Sequence, residues 1–226
     1  MNGLLTVAFG AKFERMAAHT CAYSRRFTDL PITVLTNVNE ESRHPKWREV
    51  DNVNFVYIKD IQSNNRQYKT SMIDYSPYDK TIYIDADAIV QQKGIEKVFD
   101  RLEGKDIMLN VYGKWVDRVP LSYYRRAMAL LNVKTPITIF YGAFIGFTKS
   151  EEARRFFKAW NVNWKRSNIK REMPALACTV KKMPDLKLVR TGNRDKVFTW
   201  IIRKGFMIQH EYGARFWTMF FPGYVR

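Results

Sequence analysis

The strongest constraint on the fold is a succession of short apolar runs, LLTVAF at residues 4–9, ITVLT at 32–36, FVYI at 55–58 and TIYID at 81–85, separated by stretches of helical periodicity. Runs this short and this continuously apolar read as strands buried on both faces. Residues 14–26 read as a helix with Met16, Ala17, Cys21 and Tyr23 turned inward, residues 66–75 as a second helix and residues 94–101 as a short third, followed by a strand at 107–109. Strands and helices alternating in this way imply an α/β fold, a central, mostly parallel sheet flanked by helices. The pattern continues after Asn110 with a helix at 122–131, the apolar TIFYGAFIGF at 138–147, a long helix at 150–166, a helix at 174–181 opened by a proline, and a last strand at 206–209 ending at His210. In the long helix Phe157, Trp160 and Trp164 recur at helical spacing while Arg154, Lys158, Lys165 and Arg166 lie mostly elsewhere. The aromatics are therefore expected in the core, not on a base-stacking surface.

The chain has 226 residues, which suits one domain over 1–226, and its 46% hydrophobic content is enough for a real core, which excludes intrinsic disorder. The formal net charge is +16. Cut after Asn110, the chain has 15 basic and 15 acidic residues before the cut and 23 basic and 7 acidic residues after it. An excess confined to one half predicts a one-sided positive field, which concentrates anionic partners. Cys21 and Cys178 form no C-x-x-C or Cys/His ligand spacing and are expected as free core thiols in a reducing compartment. The sequence enters its first strand without a basic leader, and no apolar run reaches membrane-spanning length. A soluble, cytoplasmic protein with no membrane anchor and no obligatory protein partner is expected.

The segment SPYDKTIYIDADAIV, residues 76–90, carries the most chemistry. An apolar strand ends there in Asp85-Ala86-Asp87, so two carboxylates emerge where parallel strands end and where ligands bind in open α/β folds. Strand alternation puts both side chains on one face, and two hard oxygen ligands at that spacing suit Mg²⁺ or Mn²⁺.

Lys69 in a helix, followed by PYDKTIYIDAD at 77–87, resembles the metal-binding D-x-D segment of GT-A-fold glycosyltransferases. Far away in sequence, IQHEYGARFW at 208–217 resembles the H-x-x-G-x-x-K-P-W segment of family 8 glycosyltransferases, the glycogenin and galactosyltransferase relatives. His210, Gly213 and Trp217 match, while Arg215 and Phe216 stand where lysine and proline are expected. The resemblance implies the GT-A (nucleotide-diphospho-sugar transferase) fold, with a Rossmann-like sheet. It also implies a UDP-sugar donor and Mn²⁺ (or Mg²⁺) held by Asp85, Asp87 and His210. Ala86, Lys69, Gly213 and Arg215 then belong to the donor and diphosphate site, and VAFGAKF at 7–13 is the turn that packs against the nucleotide base through Ala8, Phe9 and Gly10. Gly10 either allows close approach to the donor or simply makes the turn. FYGAFIGF at 140–147 stands where such enzymes carry an Asn-Ser/Ala-Gly core, replaced here by Tyr141, Gly142 and Ala143. REMPALACTVKKM at 171–183 resembles the helix start whose acid lies beside the reacting sugar, which makes Glu172 the candidate catalytic residue, with Met173 in place of glutamine. The alternative is an ordinary acid at a helix N-terminus, favoured by the macrodipole.

The resemblance implies sugar transfer with retention at the anomeric carbon, the first 110 residues binding donor and metal and residues 111–226 facing the acceptor. A basic acceptor half points to an anionic acceptor. DNA rewards clustered Lys and Arg, and a hydroxymethylated base such as 5-hydroxymethylcytosine can take a sugar once flipped out. Small transferases that decorate bacteriophage DNA are similar, and the location would then be the host cytoplasm. A transferase for lipid-linked or lipopolysaccharide glycans is the alternative enzyme, and a non-catalytic nucleic-acid-binding protein the alternative of another class.

Overall fold

The computed structural model describes residues 1–59, 65–115, 122–192, 195–199 and 208–210. Among these residues the main sheet has seven strands: β1 (Asn2–Val7), β2 (Ile32–Thr36), β3 (Val53–Tyr57), β4 (Lys80–Ile84), β6 (Ile107–Trp115), β7 (Ile137–Thr148) and β8 (Leu188–Thr191), in the order β3-β2-β1-β4-β7-β6-β8. The neighbours β3/β2, β2/β1, β1/β4 and β6/β8 are parallel, and β7 runs antiparallel to both β4 and β6. A smaller sheet joins β5 (Ala88–Val90), β10 (Ile208–His210) and β9 (Phe198–Thr199) in the order β5-β10-β9. The helices are α1 (Gly10–Ser24), α2 (Asn65–Lys69), α3 (Ser122–Leu130), α4 (Glu151–Ser167) and α5 (Met173–Lys182).

Adjacent residues of each central strand enter opposite cores, as a two-residue period requires. Leu4, Val34, Ile82, Met108 and Phe144 pack with Met16, Ala17 and Cys21 of α1. Their neighbours Leu5, Leu35, Tyr83, Leu109 and Ile145 pack on the other side with Phe156, Phe157 and Trp160 of α4 and with Ala175 and Leu176 of α5. This two-sided burial explains why the strands read as continuous apolar runs. A third cluster joins α3, α5 and the start of β7 through Tyr124, Ile137 and Cys178.

α4 carries its own start and stop signals. Ser150 accepts from Ala153 N at 3.1 Å, Glu151 and Glu152 fill the first turn, Lys165 and Arg166 the last, and Asn168 ends the helix at φ 47°. Phe157 and Trp160 are buried as expected; Trp164 is half-buried, its indole N–H donating to Ile169 O at 3.0 Å. Both cysteines are free and buried, and burial pushes their thiols up, Cys21 to about 12 and Cys178 to about 11, as befits inert core thiols.

Several boundaries differ from the sequence reading. The strand expected through Asp85 stops at Ile84, and Asp85-Ala86-Asp87 forms a turn closed by Ala88 N donating to Asp85 O at 2.9 Å. The carboxylates therefore leave a turn and are not set on one face by strand alternation. The helix expected over 66–75 is α2 followed by a 3-10 turn, Met72–Asp74, and the one expected at 94–101 is a 3-10 helix, Ile95–Leu102. β8 was not expected. Its LVRT is a half-buried edge strand containing Arg190, too short and polar to show a period.

A pH effect on stability arises on the far side of α1, where the His19 ring lies 5.0 Å from that of His44. Burial lowers the pKa of His19 below 6.5, helped by the positive charges of His44, Lys46 and Arg15 and opposed by Glu49. The unfolded chain then takes up this proton first, so stability falls as pH drops through 6.5. The thermal midpoint should decline between about pH 7 and pH 5, and His19→Gln should flatten that decline. An unchanged slope in the variant would assign the decline to other groups.

Candidate active site

The chain runs outward from β1 to β2 and β3, then returns to the other side of β1 as β4, so the topological switch point lies between β1 and β4. In open α/β sheets the crevice outside the strand ends at this point is where ligands bind. The turn after β1 and the Asp85 turn after β4 both open there.

After β1, Ala8 is buried and donates its N–H to Leu35 O at 2.8 Å, while its carbonyl accepts from Thr36 Oγ1 at 2.9 Å. Phe9 is buried and stacks on Tyr68 of α2, with ring centroids 4.5 Å apart. Gly10 starts α1 at φ +79°, a conformation an L side chain rarely adopts. The first amides of α1 have no cap from Phe9 itself, and asparagines from elsewhere serve instead: Phe9 N donates to Asn65 Oδ1 and Gly10 N to Asn37 Oδ1, each at 2.7 Å.

The Asp85-Ala86-Asp87 turn is held at both ends of its backbone. Asp85 N donates to Ala143 O of β7 at 3.1 Å, and Ala86 O accepts from Thr20 Oγ1 of α1 at 2.9 Å. Asp85 Oδ1 accepts from Lys69 Nζ at 2.8 Å and from the Tyr83 hydroxyl. Lys69 Nζ also lies 3.0 Å from Glu172 Oε1, and Arg66 Nε lies 3.3 Å from Glu172 Oε2. Arg66, Lys69, Tyr83, Asp85 and Glu172 thus form one continuous ionic network. Lys69 and Glu172 are each only 6% exposed, so these charges are balanced by one another more than by water. Asp85 keeps 26% of its side chain exposed and stays open to a ligand. Burial pulls the Lys69 ammonium down, but the carboxylates of Asp85 and Glu172 outweigh it and the pKa is raised. Burial, with the negative charges of Asp85, Glu172 and Asp87, holds the Tyr83 phenol well above its usual value. Both groups therefore remain protonated donors at neutral pH.

Glu172 immediately precedes α5, yet it makes no side-chain cap to that helix. Its carboxylate turns to Lys69 and Arg66. The approach is made possible by Gly142: a Cβ there would sit 3.1 Å from Glu172 Oε1, 3.2 Å from Met173 Cγ and 3.3 Å from Lys69 Nζ. The small residue thus admits the ion cluster against the β7 backbone. Gly142→Val should displace Glu172 or Lys69, destabilising the fold by about 1–3 kcal/mol and lowering turnover; wild-type melting and turnover in that variant would show that the backbone yields freely.

Asp87 is half-buried in the same turn. β10 pairs antiparallel with β5 so that His210 stands opposite Ala88, the residue after Asp87. The register brings the backbone of the expected third ligand, more than a hundred residues away in sequence, beside the two aspartates. Among the described residues no group of three or more His, Cys, Asp or Glu side chains gathers as a metal site, and the His210 side chain is outside that description. The donor set nonetheless fits a hard divalent cation: two carboxylates in one turn, with an imidazole-bearing strand in register beside them. Gly213 and Arg215, with the rest of the 211–217 loop, lie outside the described residues.

The sequence reading did not assign Arg66 or Tyr83 to the site. Both had a signal: Arg66 lies three residues before Lys69 on one helix face, and Tyr83 two residues before Asp85 along the strand.

The switch-point crevice, the acidic turn after β4 and the antiparallel β7 beside it are the arrangement that the GT-A resemblance implies. No protein-family model matches the chain and no curated protein matches it in sequence. Solved structures do. The galactosyltransferase LgtC, in complex with donor and acceptor sugar analogues, superposes with a TM-score of 0.61 at 12% identity, over 95% of this chain and 88% of that one. The bifunctional glycosyltransferase WbbM, in its apo structure, gives 0.65 at 12% identity over 94% of this chain, which spans only 46% of the WbbM chain. Mouse xyloside xylosyltransferase 1, also apo, gives 0.60 at 10% identity, over 93% and 97% of the two chains. At these identities the likeness establishes the fold. No helix among the described residues is long and apolar enough to cross a membrane.

Proposed function

We propose that the chain is a metal-dependent glycosyltransferase that moves a sugar, with retention, from a UDP-sugar to an anionic acceptor, a hydroxymethylated base in DNA. The observation that carries the reading is the Lys69–Asp85–Glu172 network at the switch point of a GT-A sheet. In this reading residues 1–226 are one domain, residues 1–110 supplying the donor side and residues 111–226 the acceptor side.

Ala8, Phe9 and Gly10 then line the nucleotide, and Ala86 lies with them along the donor. Asp85, Asp87 and His210 would hold Mn²⁺ or Mg²⁺, which when bound would neutralise charge on the departing diphosphate as a Lewis acid. Lys69 and Arg215 add positive charge on that side. Glu172 is held by two cations, Lys69 and Arg66. In this reading it orients a donor hydroxyl or stabilises positive charge at the anomeric carbon. Retention, which the sequence resemblance implies, needs no dedicated base.

The acceptor assignment rests on charge. On α3 and α4, Arg125, Arg126, Arg154, Arg155, Lys158, Lys165 and Arg166 are all exposed, and such surfaces hold phosphate backbones. A glycan acceptor is the second reading, favoured by the likeness to LgtC, whose structure holds an acceptor sugar analogue. A panel of UDP-sugars against hydroxymethylcytosine DNA, unmodified DNA and lipid-linked glycans, each with Mn²⁺ or EDTA and read by mass spectrometry, tests the proposal. Mn²⁺-dependent transfer to the modified DNA alone is expected. Transfer confined to a glycan would replace the DNA reading by the second one, and cleavage of no donor under any condition would remove the enzymatic one.

A further inference from the structure

Tyr112 and Tyr141 form an aromatic pair beside the ion cluster, and none of the roles above uses it. Between β6 and β7, Val111 stands opposite Phe140 and Gly113 opposite Ile139, so consecutive β7 residues face alternate β6 residues and Tyr112 is the extra residue of a β-bulge. Bulges re-aim the side chain that they carry and recur next to active sites. Tyr112 is 58% exposed and meets Tyr141 edge to face with centroids 5.0 Å apart and planes at 84°. Tyr141 in turn precedes Gly142, where a Cβ would come within 3.1 Å of Glu172 Oε1 and 3.3 Å of Lys69 Nζ. The edge-to-face contact steadies Tyr112 while much of its surface stays open to solvent, one residue along β7 from the network at which sugar would be transferred.

A rigid aromatic surface of this kind has little use for an anion, yet it lies in the half of the chain with 23 basic and 7 acidic residues. Clustered cations that hold phosphates, together with an aromatic face that holds bases, are the combination that binds nucleic acid with its bases unstacked. We infer that Tyr112, positioned by Tyr141, is a stacking platform for an unpaired nucleobase of the acceptor. The inference rests on the nucleic-acid reading of the acceptor and sharpens it: the strand is engaged single-stranded, or with its base extruded, because a paired and stacked base offers no free face.

The test is titration of a single-stranded oligonucleotide containing 2-aminopurine, whose fluorescence is quenched on stacking, with wild type, Tyr112→Leu and Tyr112→Phe at several salt concentrations. Tyr112→Leu should weaken binding about tenfold and abolish the quenching, whereas Tyr112→Phe, which keeps the ring, should stay within about twofold of wild type. The slope of affinity against salt should match wild type in both variants, because no phosphate contact is removed. Thermal unfolding should be unaltered, since the side chain lies mainly outside the core. Wild-type affinity in Tyr112→Leu would overturn the platform and leave the nucleic-acid reading standing, and so would a loss in Tyr112→Phe equal to that in Tyr112→Leu. A wild-type protein that binds no oligonucleotide would overturn both.

Discussion

Lys69→Met should lower the stability of the folded protein by about 3–5 kcal/mol, the usual cost of removing one partner from a buried ion pair. For a chain of this size that is a fall in thermal midpoint on the order of 10 °C. The reason is geometric: Lys69 Nζ bridges Asp85 Oδ1 at 2.8 Å and Glu172 Oε1 at 3.0 Å, and both Lys69 and Glu172 are almost wholly buried. Methionine fills the space but leaves two carboxylates without their shared cation. Glu172 keeps Arg66 at 3.3 Å, though the arginine is itself half exposed and only partly compensates. The double variant Lys69→Met/Glu172→Gln should therefore recover part of the loss, and the cycle of single and double variants isolates the coupling. Calorimetry or chemical denaturation reads it directly. A Lys69→Met protein as stable as wild type would mean that the two carboxylates do not depend on this ammonium.

Asp85→Asn should have the opposite profile, a small change in stability and a fall in turnover of about 100- to 1000-fold or more, the range seen when one preorganised electrostatic contact to a developing charge is lost. Asparagine preserves shape and can still accept from Tyr83 and Lys69 through its carbonyl, and Lys69 keeps Glu172. The carboxylate charge that a divalent cation needs is gone. A second readout does not depend on turnover: Mn²⁺ with UDP should raise the wild-type melting temperature through linkage, and the shift should vanish in Asp85→Asn. Retained turnover together with a retained Mn²⁺ shift would show that Asp85 is a structural partner of Lys69 and no ligand.

Much of the fold was legible because the central strands are buried on both faces. A strand such as ITVLT at residues 32–36 has no polar face to blur the pattern, and its observed limits coincide with the expected ones. β8 was illegible for the converse reason, since an edge strand whose LVRT is half solvated has no distinctive composition. At the site, Lys69, Asp85 and Glu172 were picked out separately, but no local pattern indicates that they meet. Their contact depends on α2 packing over β1, on α5 packing against β7, and on Gly142 having no side chain, all of them tertiary facts. The turn conformation of Asp85-Ala86-Asp87 was missed because an apolar run followed by alternating acids looks like a strand continuing. What ends the strand is the turn closed by Ala88 N donating to Asp85 O at 2.9 Å, a local bond that the hydrophobic pattern does not announce.

The antiparallel seam between β4 and β7 sets the order in which the site can be made. Residues such as Ile84 and Phe144 are neighbours in space across sixty residues of chain, and pairings of that span close late because the loop entropy must be overcome first. During synthesis Lys69 and Asp85 leave the ribosome before β7 and before Glu172, so neither the bond from Asp85 N to Ala143 O nor the ion pair of Lys69 with Glu172 can yet form. The network is completed only when β7 adds to β4 and α5 settles against β7. Assembly of the Lys69–Asp85–Glu172 network is thereby coupled to docking of the later, basic half of the chain, so a newly made chain balances the Lys69 charge only once β7 and α5 are in place.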